Sequence, residues 1–252
     1  MSDEVWLYPL LFVGALAAGW IDSIAGGGGL VTLPLLLWVG LPPQMVLGTN
    51  KFQASFGSFT AAHHYVRRGV VPLRQAVPGI LFTLIGSAIG TWAVQQIAGD
   101  VLNGIIPVLL LAIAVYMLFT PSLGHREIAA RMPWMIFFGL FGVLLGFYDG
   151  FFGPGVGSFW AVALVLGLGF NLTTATGYTK VMNFTSNVVS CLLFMAGGQV
   201  LYGAGLVMAA GQIIGARLGA GMVIRKGVRF IRPIFVTMVI LTTLKLLYDR
   251  IF

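Results

Sequence analysis

The chain has 252 residues, of which 58% are hydrophobic and only 8% charged, with a formal net charge of +7. A soluble globular protein carries roughly 25% charged residues, so no water-facing surface can be assembled from this set. Disorder, a collagen-like repeat and a nucleic-acid-binding domain are excluded with it, the last despite the basic balance, and a mean hydropathy of +0.97 defines a polytopic membrane protein.

The chain opens Met1-Ser2-Asp3-Glu4, acidic where a cleavable signal peptide is basic, so the first apolar stretch reads as a retained membrane segment. A bilayer-crossing helix takes about 20 apolar residues. The segments that qualify are Val5–Ala25, Met45–Val66, Ala76–Ile97, Val101–Phe119, Trp134–Tyr148, Thr174–Ala196, Gly203–Val223 and Ile231–Tyr248. Two shorter apolar pieces, Leu30–Val39 and Phe159–Gly167, each follow a glycine-rich break and read as re-entrant or broken helices. The most polar stretch, Pro121 to Met132, is too short for a soluble domain, so no nucleotide-binding domain is expected to power the protein. The expected fold is all-α: one transmembrane domain over 1–252, with repeat one at about 5–120, a connection at 121–133 and repeat two at about 134–250.

The halves match each other. Gly19, Asp22, Gly26, Gly28, Leu37, Gly40 and Leu41 recur 127 residues later as Gly146, Asp149, Gly153, Gly155, Leu164, Gly167 and Leu168. After a two-residue shift, Gly48, Lys51, Gly69, Ile85, Gly86 and Gly90 recur as Gly177, Lys180, Gly198, Ile214, Gly215 and Gly219. Glycine matches alone would be weak, but an aspartate and a lysine in register among so few charges are strong evidence of duplication. Basic residues flank three connections: Arg67, Arg68 and Arg74; Arg126 and Arg131; Arg225, Lys226, Arg229 and Arg232. The positive-inside rule assigns these to the cytoplasm and places both termini on the non-cytoplasmic side. Repeat-equivalent connections then fall on opposite faces, the mark of inverted-topology repeats.

Charge inside a bilayer is expensive, about 2.5–3.5 kcal/mol per group on an insertion scale. Asp22, Lys51, Asp149, Lys180, Arg217 and Lys245 lie in or near apolar segments. Lys245, near a segment end, snorkels. Lys51 and Lys180 read as first-turn residues, where the helix dipole disfavours a cation; snorkelling is the alternative to a functional pair. Arg217 offers a planar fork for oxyanions, or a structural partner for Asp149 or Asp22. The two aspartates precede glycine breaks, Gly26-Gly-Gly-Gly and Gly153-Pro-Gly-Val-Gly, where Gly28 and Gly155 bring backbone N–H groups and a positive dipole end toward a ligand. Helix packing by the glycines and capping by the aspartates is the other reading. Asn50, Gln53, Thr179 and Asn183 sit beside the lysines as oxyanion donors, although such residues also bridge membrane helices. Three embedded cations, Lys51, Lys180 and Arg217, against two carboxylates favour an anionic solute.

His63 and His64 are adjacent and point about 100° apart on a helix, a poor metal pair. Cys191 is the lone cysteine. No metal site, cofactor or catalytic cluster is expected, and enzymatic function is improbable.

The stretches Gly19-Trp-Ile-Asp-Ser-Ile-Ala-Gly-Gly-Gly-Gly-Leu-Val-Thr-Leu-Pro, Gly48-Thr-Asn-Lys-Phe-Gln and Gly146-Phe-Tyr-Asp-Gly-Phe-Phe-Gly-Pro-Gly-Val-Gly-Ser closely resemble the sulfite exporter TauE/SafE family, over nearly the whole chain. The resemblance implies an inner-membrane transporter of sulfite, sulfonates or related small anions. It implies a substrate region around Asn50, Lys51 and Gln53 in the first half and Thr179, Lys180 and Asn183 in the second. The second motif reads Gly-Tyr-Thr-Lys where the first reads Gly-Thr-Asn-Lys, against a symmetric site. The expectation is a secondary exporter of a small anion, with Asp22 and Asp149 as coupling or gating groups. A passive anion channel and a non-transporting membrane subunit are the rivals. The expected partners are the lipid bilayer and the anionic solute; homo-oligomerisation stays open.

Overall fold

A computed structural model describes residues 7–119 and 129–226, and all of its regular structure among them is helical. The helices are α1 (Leu7–Ala25), α2 (Gly29–Trp38), α3 (Pro43–Arg67), α4 (Leu73–Gln95), α5 (Gly99–Phe119), α6 (Trp134–Phe137), α7 (Val143–Phe151), α8 (Val156–Leu168), α9 (Leu172–Ala196) and α10 (Tyr202–Lys226). A π-helical turn, Phe138–Gly142, joins α6 to α7, so the expected span from Trp134 to Tyr148 runs on to Phe151. The expected segment Ile231–Tyr248, with Lys245, lies outside the described residues.

Among the described residues, four stretches are long and apolar enough to cross a membrane: Leu7–Ile24, Leu73–Gln95, Trp134–Phe151 and Tyr202–Met222. Helices α3 and α9, each of 25 residues, span about 37 Å at 1.5 Å per residue. They are too polar to qualify by hydropathy because their polar faces turn inward. Buried on them are Thr49, Asn50, Lys51, Gln53 and Ser58, and Thr176, Thr179, Lys180, Asn183, Ser186 and Ser190. The apolar helices surround them, exposing Leu81, Ile85, Ile89 and Trp92 on α4 and Leu206, Ile214 and Leu218 on α10. Such a belt suits hydrocarbon, where only internally hydrogen-bonded helices survive.

Helices α3 and α9 pack antiparallel. Gly48 meets Phe194, Ser58 accepts a hydrogen bond from Asn187 Nδ2 at 3.3 Å, Phe59 and Phe184 rings lie 5.2 Å apart, and Gly177 meets Tyr65. The flanking pairs run parallel and match each other. A Cβ on Gly215 of α10 would stand 2.0 Å from the Leu16 carbonyl oxygen of α1. One on Gly86 of α4 would stand 2.3 Å from that of Val143 on α7. Leu16 and Val143 are counterparts under the 127-residue offset, as are Gly86 and Gly215 under the shifted one. Each half thus lends a helix to the other through glycine stripes that let backbones touch.

Short α2 and α8 follow the two breaks. Helix α2 folds back along α1: Gly28 meets Ala18 and Asp22, and Leu35 meets Gly14. At about 15 Å, it reaches about half the hydrocarbon thickness. The two breaks touch each other. A Cβ on Gly26 would lie 2.5 Å from Gly157 Cα, and φ is +74° at Gly26 and +99° at Gly153, the left-handed region that only glycine enters freely. Arg67, Arg68 and Arg74 lie at the end where α3 hands over to α4 and α9 begins; Gln44, Gln95 and Gln199 gather at the other.

Candidate functional site

Lys51 sits eight residues past Pro43 and Lys180 eight past Leu172, so both lie two turns inside their helices and not in the first turn. Helix α3 starts early because Pro42 and Pro43 fit a helix start, where a missing N–H is harmless. Helix α9 starts at Leu172 because Asn171 caps it, accepting from Thr174 N at 2.9 Å. The dipole objection to the lysines therefore lapses, and snorkelling is barred: their side chains are 2% and 0% exposed.

Each lysine reaches into the other half. Lys51 Nζ donates to Asp149 Oδ1 at 2.6 Å, to the Asp149 carbonyl at 2.5 Å and to Asn187 Oδ1 at 3.3 Å. Asp149 Oδ2 accepts from Ser186 Oγ. Lys180 Nζ donates to Asp22 Oδ2 at 3.1 Å and to the Asp22 carbonyl. Asp22 Oδ1 accepts from the Gly27 and Gly28 N–H groups at 3.0 and 3.2 Å. The reciprocity is not complete. Asp149, 4% exposed, takes both its carboxylate bonds from side chains, whereas Asp22, 22% exposed, rests on backbone amides ahead of α2.

A polar cavity of about 40 Å³ lies between the breaks, lined by Asp22, Gly27, Gly28, Gly29, Asn50, Lys51, Gln53, Ala54, Asp149, Gly153, Gly155, Val156, Asn183, Asn187 and Gln212. About 10–15 Å³ on this measure holds one water, so there is room for a few waters or one small oxyanion. Asn50 Oδ1 accepts from Thr32 Oγ1 at 2.6 Å and from Gln53 Nε2 at 2.9 Å, which fixes both amides. Gln53 Oε1 and Asn183 Oδ1 are buried without a hydrogen-bond partner. A buried polar atom left unpaired in an enclosed space marks a place for a ligand or water.

Of the residues singled out from sequence, Asp22, Gly28, Asn50, Lys51, Gln53, Asp149, Gly155 and Asn183 converge on this cavity. Lys180 adjoins it through Asp22, and Thr179 is buried beside Lys180 with Oγ1 unpartnered, off the lining. Arg217 is not brought there. It is exposed on α10 between Ala216 and Leu218 and makes no ion pair with either aspartate. It stands two residues, about 200°, from the buried Gly215 and Gly219. That glycine stripe is also the signal that would have found Gln212, which is 3% exposed, lies against Gly19 and Gly57 and lines the cavity. Ser186 and Asn187 fall three and four residues, one helical turn, beyond Asn183 and share its buried face.

Lipid-suited helices closed around paired intramembrane charges and a solute-sized polar cavity define a membrane transporter, since such charges mark solute and ion paths. The chain belongs to the sulfite exporter TauE/SafE family, which matches residues 11–246. It is 48% identical over 250 residues to a "Probable membrane transporter protein" of Haemophilus influenzae, covering 99% of this chain and 98% of that one. It is 46% identical over 243 residues to "Probable membrane transporter protein YfcA" of Escherichia coli, covering 96% and 90%. A more distant relative, "Probable membrane transporter protein YunE" of Bacillus subtilis, is 23% identical over 97% of this chain and 99% of its own length. No solved structure matches.

Proposed function

We propose that the protein is a secondary transporter exporting a small anion of the sulfite or sulfonate class across the cell inner membrane. The observation that carries this reading is the cavity between the two breaks, with a buried lysine–aspartate pair from each half beside it. Lys51 and Lys180 supply positive charge, Gly28 and Gly155 backbone approach, and Asn50, Gln53 and Asn183 orientation; Thr179 packs behind Lys180. Asp22 and Asp149 hold the lysines and gate the path.

An inverted-repeat architecture over one transmembrane domain supports alternating access. In favour of inversion, the counterparts α3 and α9 run antiparallel, whereas halves related by an axis along the membrane normal would run them parallel. The return of α2 along α1 favours a re-entrant piece after each break. With the arginine end of the bundle cytoplasmic, α1 starts on the non-cytoplasmic side.

The test is uptake of sulfite, with sulfate and lactate as comparators, by vesicles containing the purified protein alone, its Lys51→Ala form or its Lys180→Ala form. The proposal expects saturable sulfite uptake that falls at least tenfold in both variants. Equal uptake by all three forms removes the lysines from the mechanism. Large currents without stoichiometry would make the protein a channel, and no flux of any anion would make it a subunit.

A further inference from the structure

We infer that the carboxylate of Asp22 is a built-in occupant of an oxyanion seat, and that cargo takes this seat when Asp22 accepts a proton. The inference deepens the anion-transport reading and rests on it. The seat consists of Gly27 N–H and Gly28 N–H, at 3.0 and 3.2 Å from Asp22 Oδ1, and Lys180 Nζ, at 3.1 Å from Oδ2. Two converging backbone amides and an ammonium are the donor set that grips a carboxylate, sulfonate or sulfite oxygen. The seat opens on the cavity, where Asp22, Gly27 and Gly28 are all in the wall.

Charge balance makes a proton necessary. Among the described residues, the charged groups around Asp22 are Lys180 from α9 and, across the cavity, Lys51 from α3 and Asp149 from α7; α10 contributes the neutral Gln212, and α2 and α8 contribute only uncharged residues. Two ammonium groups against two carboxylates leave the site neutral. A monoanion entering alone would create an unbalanced negative charge in a water-poor interior, and it would find its seat filled by Asp22. One proton taken up by Asp22 removes both obstacles: the neutral acid releases the amides and Lys180, and the anion replaces the lost charge. The new O–H needs an acceptor, and two residues of the cavity wall, Gln53 (0% exposed) and Asn183 (4% exposed), carry unpartnered ones, Oε1 and Oδ1. Asp149 is unsuited to the exchange, because its carboxylate is held by the Lys51 and Ser186 side chains and no backbone amide would pass to cargo. Transport is therefore electroneutral, one proton moving with each monoanion.

Binding of methanesulfonate tests this, because that anion keeps its charge from about pH 5 to about pH 8. With purified protein in detergent, wild-type affinity is expected to rise about tenfold for each unit of acidification above the point where Asp22 titrates, the signature of one proton bound with the ligand. Asp22→Asn and Asp22→Ala, lacking the titrating group, bind with a flat pH profile. Asp22→Glu, which keeps a carboxylate, retains the slope and guards against a trivial loss of folding. Wild-type binding that is insensitive to pH, or a slope that survives in Asp22→Asn, overturns the inference and leaves anion transport standing. No methanesulfonate binding at any pH by wild type and all three variants removes the seat and the anion reading together.

Discussion

Asp149 and Asp22 are sequence counterparts, each before a glycine break and each gripped by a lysine from the other half, yet their surroundings differ. Both border the cavity, but Asp149 is held by the side chains of Lys51 and Ser186, with Asn187 accepting from Lys51, whereas the more exposed Asp22 leans on two backbone amides. Residues that recur in register thus carry unlike duties. Both pairs join the halves, and in the proposed exchange only Asp22 changes partner. The source of the difference is chemical: Ser186 and Asn187 occupy positions whose first-half counterparts, Gly57 and Ser58, supply nothing to Asp22. Gly153-Pro-Gly, with no N–H at Pro154, also cannot present the amides that Gly27 and Gly28 give.

Breaking the Lys51–Asp149 pair should have the largest effect. Lys51→Ala strands a buried carboxylate and should destabilise by about 3–5 kcal/mol, read as a lowered unfolding midpoint in detergent. The paired change Lys51→Met with Asp149→Leu should recover most of that loss. Lys180→Ala should cost less, about 1–3 kcal/mol, because Asp22 keeps its two amide bonds and partial hydration. Equal losses for the two lysines would erase the distinction drawn between the pairs.

The glycine stripes sharpen the comparison from the opposite direction, since there the halves behave alike. Gly215→Ala and Gly86→Ala each push a methyl onto a neighbouring carbonyl and should each cost about 1–3 kcal/mol. A large loss from one and none from the other would contradict the reciprocal packing. The smallest effect belongs to Arg217→Gln, exposed and remote from the cavity, which should stay within about 0.5 kcal/mol in stability and leave methanesulfonate affinity unchanged.

Much of this is legible in the sequence. The recurring Asp and Lys, too few and too costly in a bilayer to be accidental, marked the residues that meet. What sequence did not yield was which lysine meets which aspartate, because the exchange of partners between halves is a tertiary fact. A first-turn position for the lysines does not hold, because Pro42–Pro43 and Asn171 begin α3 and α9 two turns ahead of them. Arg217 drew attention through its charge, although the stripe of Gly211, Gly215 and Gly219 turns that position outward and Gln212 inward. Uncharged amides such as Gln212 carry no signal until the buried face of their helix is known.

The opposed arrangement of the halves is tested most directly by labelling single cysteines in a Cys191→Ser background. Arg68→Cys follows α3, and Gly197→Cys follows its counterpart α9; both positions are exposed. With an impermeant thiol reagent on intact cells, Gly197→Cys should label and Arg68→Cys should label only after the membrane is opened. Labelling of both from the same side would contradict the account.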